Sequence, residues 1–171
     1  MLDPLQQRVA SIALELARDG HVALAGGSAM IAHGFVTRMS EDIDLFTPNP
    51  AEISDLRIRL TDRLRADGLK VDLVRDAPGF TELVVTNAED RLRVEIAQDS
   101  RIWPPVRLEV GAVLAPEELA ADKTLALFGR AYARDLVDVA ALVDRMGAET
   151  VLGLAARKDP GFDRRRFAEA R

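Results

Sequence analysis

The chain has no cysteine and only two histidines, His21 and His33, among its 171 residues. The first absence removes disulfides, thiolate metal sites and a cysteine nucleophile. The second makes a histidine-rich zinc site unexpected. A metal bound here must be held through oxygen, which favours magnesium, manganese or calcium. Long hydrophobic runs are missing as well: nothing approaches the eighteen apolar residues of a membrane span. The N-terminal MLDPLQQRVASIALELARDG lacks the basic start and unbroken apolar stretch of a signal peptide. Its Leu5, Val9, Ile12, Leu14 and Leu16 alternate with polar residues as in an amphipathic helix. A cytoplasmic protein with no membrane association is expected. There is no basic excess either. A net charge of −5 argues against nonspecific coating of nucleic acid, while leaving room for a local basic patch.

What is present is the composition of a globular protein, 48% hydrophobic and 30% charged. Repeats and serine-rich linkers are absent, so residues 1–171 read as one domain. Residues 4–19 pattern as a helix closed by Asp19-Gly20, and HVALA (21–25) as a buried strand closed by Gly26-Gly27. SAMIAHG reads as a short helix with Ser28 as its cap. DIDLF (42–46) is the next strand. Residues 51–67 carry Ile53, Leu56, Leu60 and Leu64 at helical spacing and stop at Gly68. LKVDLV, FTELVVTN and RLRVEIA read as strands, with a hairpin turn at Asn87–Asp90. From Pro116 onward the pattern is helical. The expected fold is α/β (α+β): a mixed sheet flanked by helices over about 1–113, then a helical segment over about 114–171.

The densest chemistry lies between Ala25 and Phe46, AGGSAMIAHGFVTRMSEDIDLF. On a strand, residues two apart share a face, so Asp42 and Asp44 point together while Ile43 and Leu45 turn inward. Two carboxylates about 5 Å apart repel by roughly 3 kcal/mol at an effective dielectric near 20. A cation or proton between them removes that penalty, and an exposed strand end would merely solvate it. The preceding Gly26-Gly27-Ser28 shifts the balance. Glycines let backbone approach a ligand closely, a helix start offers free N–H groups to anions, and Ser28 adds a hydroxyl. Together these describe a turn for phosphates beside carboxylates for the metal that neutralises them.

GGS followed about a dozen residues later by DxD resembles the signature of the DNA polymerase β-like nucleotidyltransferase superfamily. The wording AGGSAM…R-x-SEDIDLF is similar to that of the AbiEii/AbiGii toxin family. RVEIA resembles that family's strand with a basic residue two before its third carboxylate. ADKTLALFGR resembles its Asp-Lys…Arg segment, and RDLVDV its RDxxD motif. The resemblance spans roughly residues 20–145. It implies metal-dependent transfer of a nucleotide from a nucleoside triphosphate to an acceptor hydroxyl, with Mg2+ or Mn2+ held by Asp42, Asp44 and a third acid. By the same resemblance the acceptor is RNA, at the tRNA acceptor end, and an antitoxin is encoded separately. A small molecule such as an aminoglycoside, a protein hydroxyl, or a non-catalytic binding module are the alternatives.

For the third acid, Leu92, Val94 and Ile96 alternate inward, leaving Arg91, Arg93 and Glu95 on the other face. Glu95 is the choice, Asp72 the rival and Asp99 a weaker one. On a continuous helix over 119–145, Leu125, Phe128, Tyr132, Leu136, Val139 and Val143 form one stripe, and Lys123, Arg130, Arg134 and Asp138 the opposite one. The plain reading is a solvated face with an Arg134–Asp138 pair. Beside the upstream motifs, Lys123 and Arg130 become triphosphate ligands. Arg38 is placed to contact the acids or a phosphate, and Arg134, Asp135 and Asp138 are part scaffold, part site, with Asp135 buried and paired. His33 is expected to pack, Trp103 to anchor a loop, and Arg164–Arg166 to be solvated.

Overall fold

The computed structural model describes residues 1–17 and 21–169. Its elements run α1 (Pro4–Leu16), β1 (Ala23–Ala25), α2 (Gly26–Ala32), β2 (Asp42–Thr47), α3 (Pro50–Ala66), β3 (Lys70–Ala77), β4 (Phe80–Thr86), β5 (Arg91–Gln98), β6 (Val106–Leu108), β7 (Gly111–Val113), α4 (Pro116–Arg130), α5 (Ala133–Met146), α6 (Ala148–Lys158) and α7 (Arg164–Glu169). The strands form one seven-stranded sheet in the order β3-β4-β5-β2-β1-β7-β6. Strands β2 and β5, and β1 and β7, pair in parallel, and the remaining neighbours pair antiparallel. The mixed α/β sheet is as expected.

Local chemistry explains the helix starts. Asp3 accepts from the Gln6 amide while the Gln6 side chain returns to the Asp3 N–H, a full capping box with Pro4 at the first position. Asn49 caps α3 through Ala51, and Ile53, Leu56, Leu60 and Leu64 are all buried. The same core takes Ile43, Leu45, Leu83, Val85, Leu92, Val94 and Ile96 from the sheet. Strand alternation therefore sends Asp42, Asp44, Arg93 and Glu95 to the opposite face, over which α4 lies.

Several boundaries differ from the sequence pattern. The Asp19-Gly20 helix stop lies outside the described residues. Ser28 is not a cap, because α2 begins two residues earlier at Gly26 and has no side-chain cap. β6 and β7, three residues each, are too short to leave a periodic signal. The largest correction is the helix over 119–145, which breaks after Arg130. Ala131 sits at φ 52°, ψ 43°, the only non-glycine residue with positive φ among those described. The chain turns there, so phase calculated across the break fails. Leu136 and Tyr132 come out exposed and Asp138 fully buried, whereas Asp135 is buried as expected.

Candidate active site

Two adjacent parallel strands set the acidic row. Asp42 lies opposite Arg93 and Asp44 opposite Glu95 across the β2–β5 ladder. On the other side of β2, Asp44 faces Ala25, the last residue before the glycine turn. Gly26 has φ +59°, and a Cβ there would fall 1.7 Å from Asp44 Oδ2. Only glycine both adopts that backbone and leaves room for the carboxylate. At Gly27 a Cβ would come within 3.0 Å of Arg38 Nη2 and Ser40 Oγ. The glycine pair is thus a packing requirement of this corner.

Ser28 has a different role from the expected one. It is fully buried, and its Oγ donates to the Asp42 carbonyl oxygen at 2.5 Å. Ser40 Oγ donates to the same oxygen at 3.1 Å. These hydroxyls pin the start of β2 to α2 through the Asp42 carbonyl, while the Asp42 carboxylate faces the cleft.

That cleft, of about 720 Å³, is lined by Gly26, Gly27, Arg38, Asp42, Asp44, Arg93, Glu95, Lys123, Arg130 and Arg134 among others. Most of the sequence-predicted site therefore converges from residues over a hundred positions apart. Ser28, Asp135 and Asp138 do not line it. Asp72, in β3, sits three strand spacings from Asp42, about 14 Å, and pairs with Lys70 at 3.0 Å. Asp99 lies beyond the end of β5, paired with Arg101 at 3.0 Å. Of the three candidate third acids, only Glu95 lines the cleft.

The cationic wall is held from behind by buried acids. Asp138 receives Arg38 through Nε at 2.9 Å and Nη2 at 2.8 Å, and Lys123 Nζ at 2.8 Å. It does not pair with Arg134, which is exposed on α5 while Asp138 is buried against Arg38 and Lys123. Asp135 receives Arg130 through Nε and Nη2 at 2.9 and 3.0 Å. Burial acts to raise the Asp135 carboxyl, but the paired Arg130 carries it below its ordinary value. The RDxxD acids thus fix three cations, and Arg38, Lys123 and Arg130 face the cleft from fixed positions.

On the acidic side, burial first and Asp42 second push the Asp44 carboxyl above its ordinary value. Glu95 is also raised, by burial and then by Asp44. Arg93 donates from Nε and Nη2 to both oxygens of Asp42, at 2.9 and 2.5 Å, and lies 3.6 Å from Glu95. Among the described residues, no three or more acidic or histidine side chains already form a metal-holding group. The Arg93 guanidinium occupies the Asp42 oxygens such a group would need. The donor chemistry nonetheless fits a hard divalent cation, with oxygen-only ligands and crowded carboxylates held up by burial and mutual repulsion.

Sequence reasoning named no role for Arg93, although alternation already put it on the Glu95 face. It also missed Asp122, which lines the cleft beside Lys123. Burial pushes the Asp122 carboxyl up to about 6 against the opposing pull of Lys158, which contacts both Asp122 and Glu118. The Asp-Lys…Arg resemblance of ADKTLALFGR contains Asp122, but only its Lys123 and Arg130 were given a role. His33 packs as expected, stacked on Phe35 and bonded to the Leu114 carbonyl. The loop at Trp103 is anchored by its backbone N–H to Glu118.

Residues 13–167 match the family described as nucleotidyl transferase AbiEii toxin, type IV toxin–antitoxin system. The fold is similar to the crystal structure of JHP933 from Helicobacter pylori, with TM-score 0.67 and 21% identity over 92% of this chain and 74% of that one. It is likewise similar to an H. pylori protein provisionally described as a nucleotidyltransferase, with TM-score 0.66 and 20% identity over 90% and 73% of the two chains. No curated protein matches the chain in sequence.

Proposed function

The chain belongs to the AbiEii nucleotidyltransferase toxin family of type IV toxin–antitoxin systems, and from that premise we propose a metal-dependent transfer. A nucleotide passes from a nucleoside triphosphate to an acceptor hydroxyl on RNA, with tRNA the acceptor class its resemblance suggests. The observation that carries this reading is the row Gly26–Asp44–Glu95 facing Lys123 and Arg130 across one cleft. Mg2+ or Mn2+, held by Asp42, Asp44 and Glu95, would supply charge neutralisation at the triphosphate and activation of the acceptor hydroxyl.

The protein's own groups divide the remaining work. Lys123 and Arg130 bind phosphate oxygens from positions fixed by Asp138 and Asp135, so little side-chain freedom is lost on binding. Arg38 closes the rim beside Gly27. Gly26 admits the Asp44 carboxylate against the turn, and Ser28 and Ser40 keep β2 in register with it. Glu95 is placed to take the acceptor proton. The type IV context supports a separately encoded antitoxin as partner. No helix among the described residues is long and apolar enough to cross a membrane, and we place the activity in the cytoplasm.

The test is incubation with each α-labelled triphosphate, Mg2+ or Mn2+, and total RNA. Label should enter RNA, and Asp44→Asn should abolish its entry. Label recovered only in protein or in an aminoglycoside would redirect the acceptor, and its absence from all three would refute transfer.

A further inference from the structure

At the break between α4 and α5 the chain presents its one tyrosine, Tyr132, with 54% of its surface exposed. Every Phe and Trp side chain among the described residues is at least partly buried. The ring is held in place. Ala131 fixes the corner in the left-handed region, and the Tyr132 carbonyl accepts the amides of Asp135 and Leu136 at the start of α5. Two guanidinium groups lie against the ring, Arg130 at 5.1 Å and Arg134 at 5.7 Å from its centroid. Both arginines also line the catalytic cleft. Arg130 is anchored on Asp135, whereas Arg134 forms no ion pair among the described residues.

We propose that Tyr132 is a stacking platform for an unpaired base of a single-stranded nucleic-acid acceptor, with Arg134 beside it contacting the backbone phosphate. The inference rests on the transfer reading above and extends it to acceptor recognition. Bases of single strands stack on aromatic rings and arginine planes. A chain of net charge −5 can attract a polyanion only through such a local cationic strip. An exposed ring flanked by two arginines that both line the cleft supplies the stack and the charge together. Tyr132 also borders an apolar groove, together with Leu136, Val139, Val143 and Phe167. A protein partner would use that groove and not the cationic strip.

The experiment uses the whole chain and a fluorescein-labelled, unstructured ten-nucleotide RNA, read by anisotropy, with a fluorescent triphosphate analogue bound in parallel. Tyr132→Ala should weaken RNA binding about tenfold and leave triphosphate affinity unchanged, while Tyr132→Phe stays within about twofold of wild type. An otherwise identical RNA with abasic 3′ sugars should bind wild type as weakly as intact RNA binds Tyr132→Ala. Equal RNA affinity in wild type and Tyr132→Ala overturns the proposal. So does a Tyr132→Phe variant as weak as Tyr132→Ala, or parallel loss of triphosphate binding, which would make the ring structural. RNA binding lost in Leu136→Ser but kept in Tyr132→Ala would move the contact to the groove and also overturn it. Transfer of label to a non-RNA acceptor by wild type defeats this inference while sparing nucleotidyl transfer. Absence of any transfer defeats the reading beneath it.

Discussion

Arg93 grips Asp42 with two parallel hydrogen bonds, Nε to Oδ1 and Nη2 to Oδ2, across the β2–β5 ladder. Arg93 is partly exposed and the Asp42 carboxylate is mostly covered, so the guanidinium can leave without disturbing the core. In the proposed metal-bound state a divalent cation would need the same Asp42 oxygens, so the two cations would compete for them.

Arg93→Met should therefore raise Mn2+ affinity in the absence of nucleotide. Hydrogen bonds to charged groups contribute about 1.5–3 kcal/mol, and solvent screening reduces this to roughly 1 kcal/mol here. A gain of about fivefold is expected in Mn2+ titrations followed by electron paramagnetic resonance. Unchanged or weaker binding would show that the pair positions Asp42 for the metal and does not compete with it.

The pH dependence has a definite sign. The Asp44 carboxyl titrates near 3.8 when unfolded and higher when folded. Between those two values the native state keeps a proton that the unfolded chain has lost, so stability falls as pH rises through the window. The metal-free protein should lose stability as pH rises above 3.8 through that window, and Asp44→Asn should reduce the loss, leaving the part contributed by Asp122, which is raised to about 6. A variant with the wild-type slope would place the effect elsewhere.

Gly26 and Gly34 offer a matched comparison. Both have positive φ, but a Cβ at Gly34 meets nothing within 4 Å while one at Gly26 strikes Asp44. Gly34→Ala should cost about 1 kcal/mol from backbone strain alone. Gly26→Ala should cost about 3 kcal/mol or more, because overpacking adds to the strain, and should weaken Mn2+ binding. Urea unfolding of the two variants checks the ordering, and equal losses would remove the Asp44 contact as the cause.

Asp138 is the buried acid behind two cationic side chains, so Asp138→Asn leaves Arg38 and Lys123 without their counter-charge. Losing one partner of a buried ion pair costs about 3–5 kcal/mol, and partial exposure of Arg38 puts the expected loss at about 3 kcal/mol. Lys123→Met should weaken triphosphate binding by about 1–3 kcal/mol, more strongly at low salt. Wild-type triphosphate affinity in Lys123→Met would take the phosphates away from α4.

Glu95→Gln should spare triphosphate affinity and cut the transfer rate, because the acceptor side loses its carboxylate. Glu95→Asp should keep partial activity, and Asp72→Asn, three strands away, should match wild type. A dead Asp72→Asn enzyme beside an unaffected Glu95→Gln would reverse the assignment.

Much of this protein was legible in one dimension because short-range rules govern it. Strand alternation alone placed Asp42 and Asp44 on one face and Glu95 and Arg93 on another strand's matching face. The glycine turn, the spacing of Ile53 through Leu64, and the Asn87–Asp90 hairpin are likewise local. The absence of cysteine had already confined any metal to oxygen ligands. What the sequence could not supply was phase across a discontinuity and distance across the fold. One left-handed residue, Ala131, reset the helical register and turned Asp138 from an imagined solvated stripe into a buried acid that, with the expected buried Asp135, holds the cations. Strand order, a long-range choice made by the core, brought Glu95 beside Asp44 and left Asp72 three strands away. Only that same three-dimensional arrangement engaged the Ser28 hydroxyl with the Asp42 carbonyl and laid Arg93 against the Asp42 carboxylate.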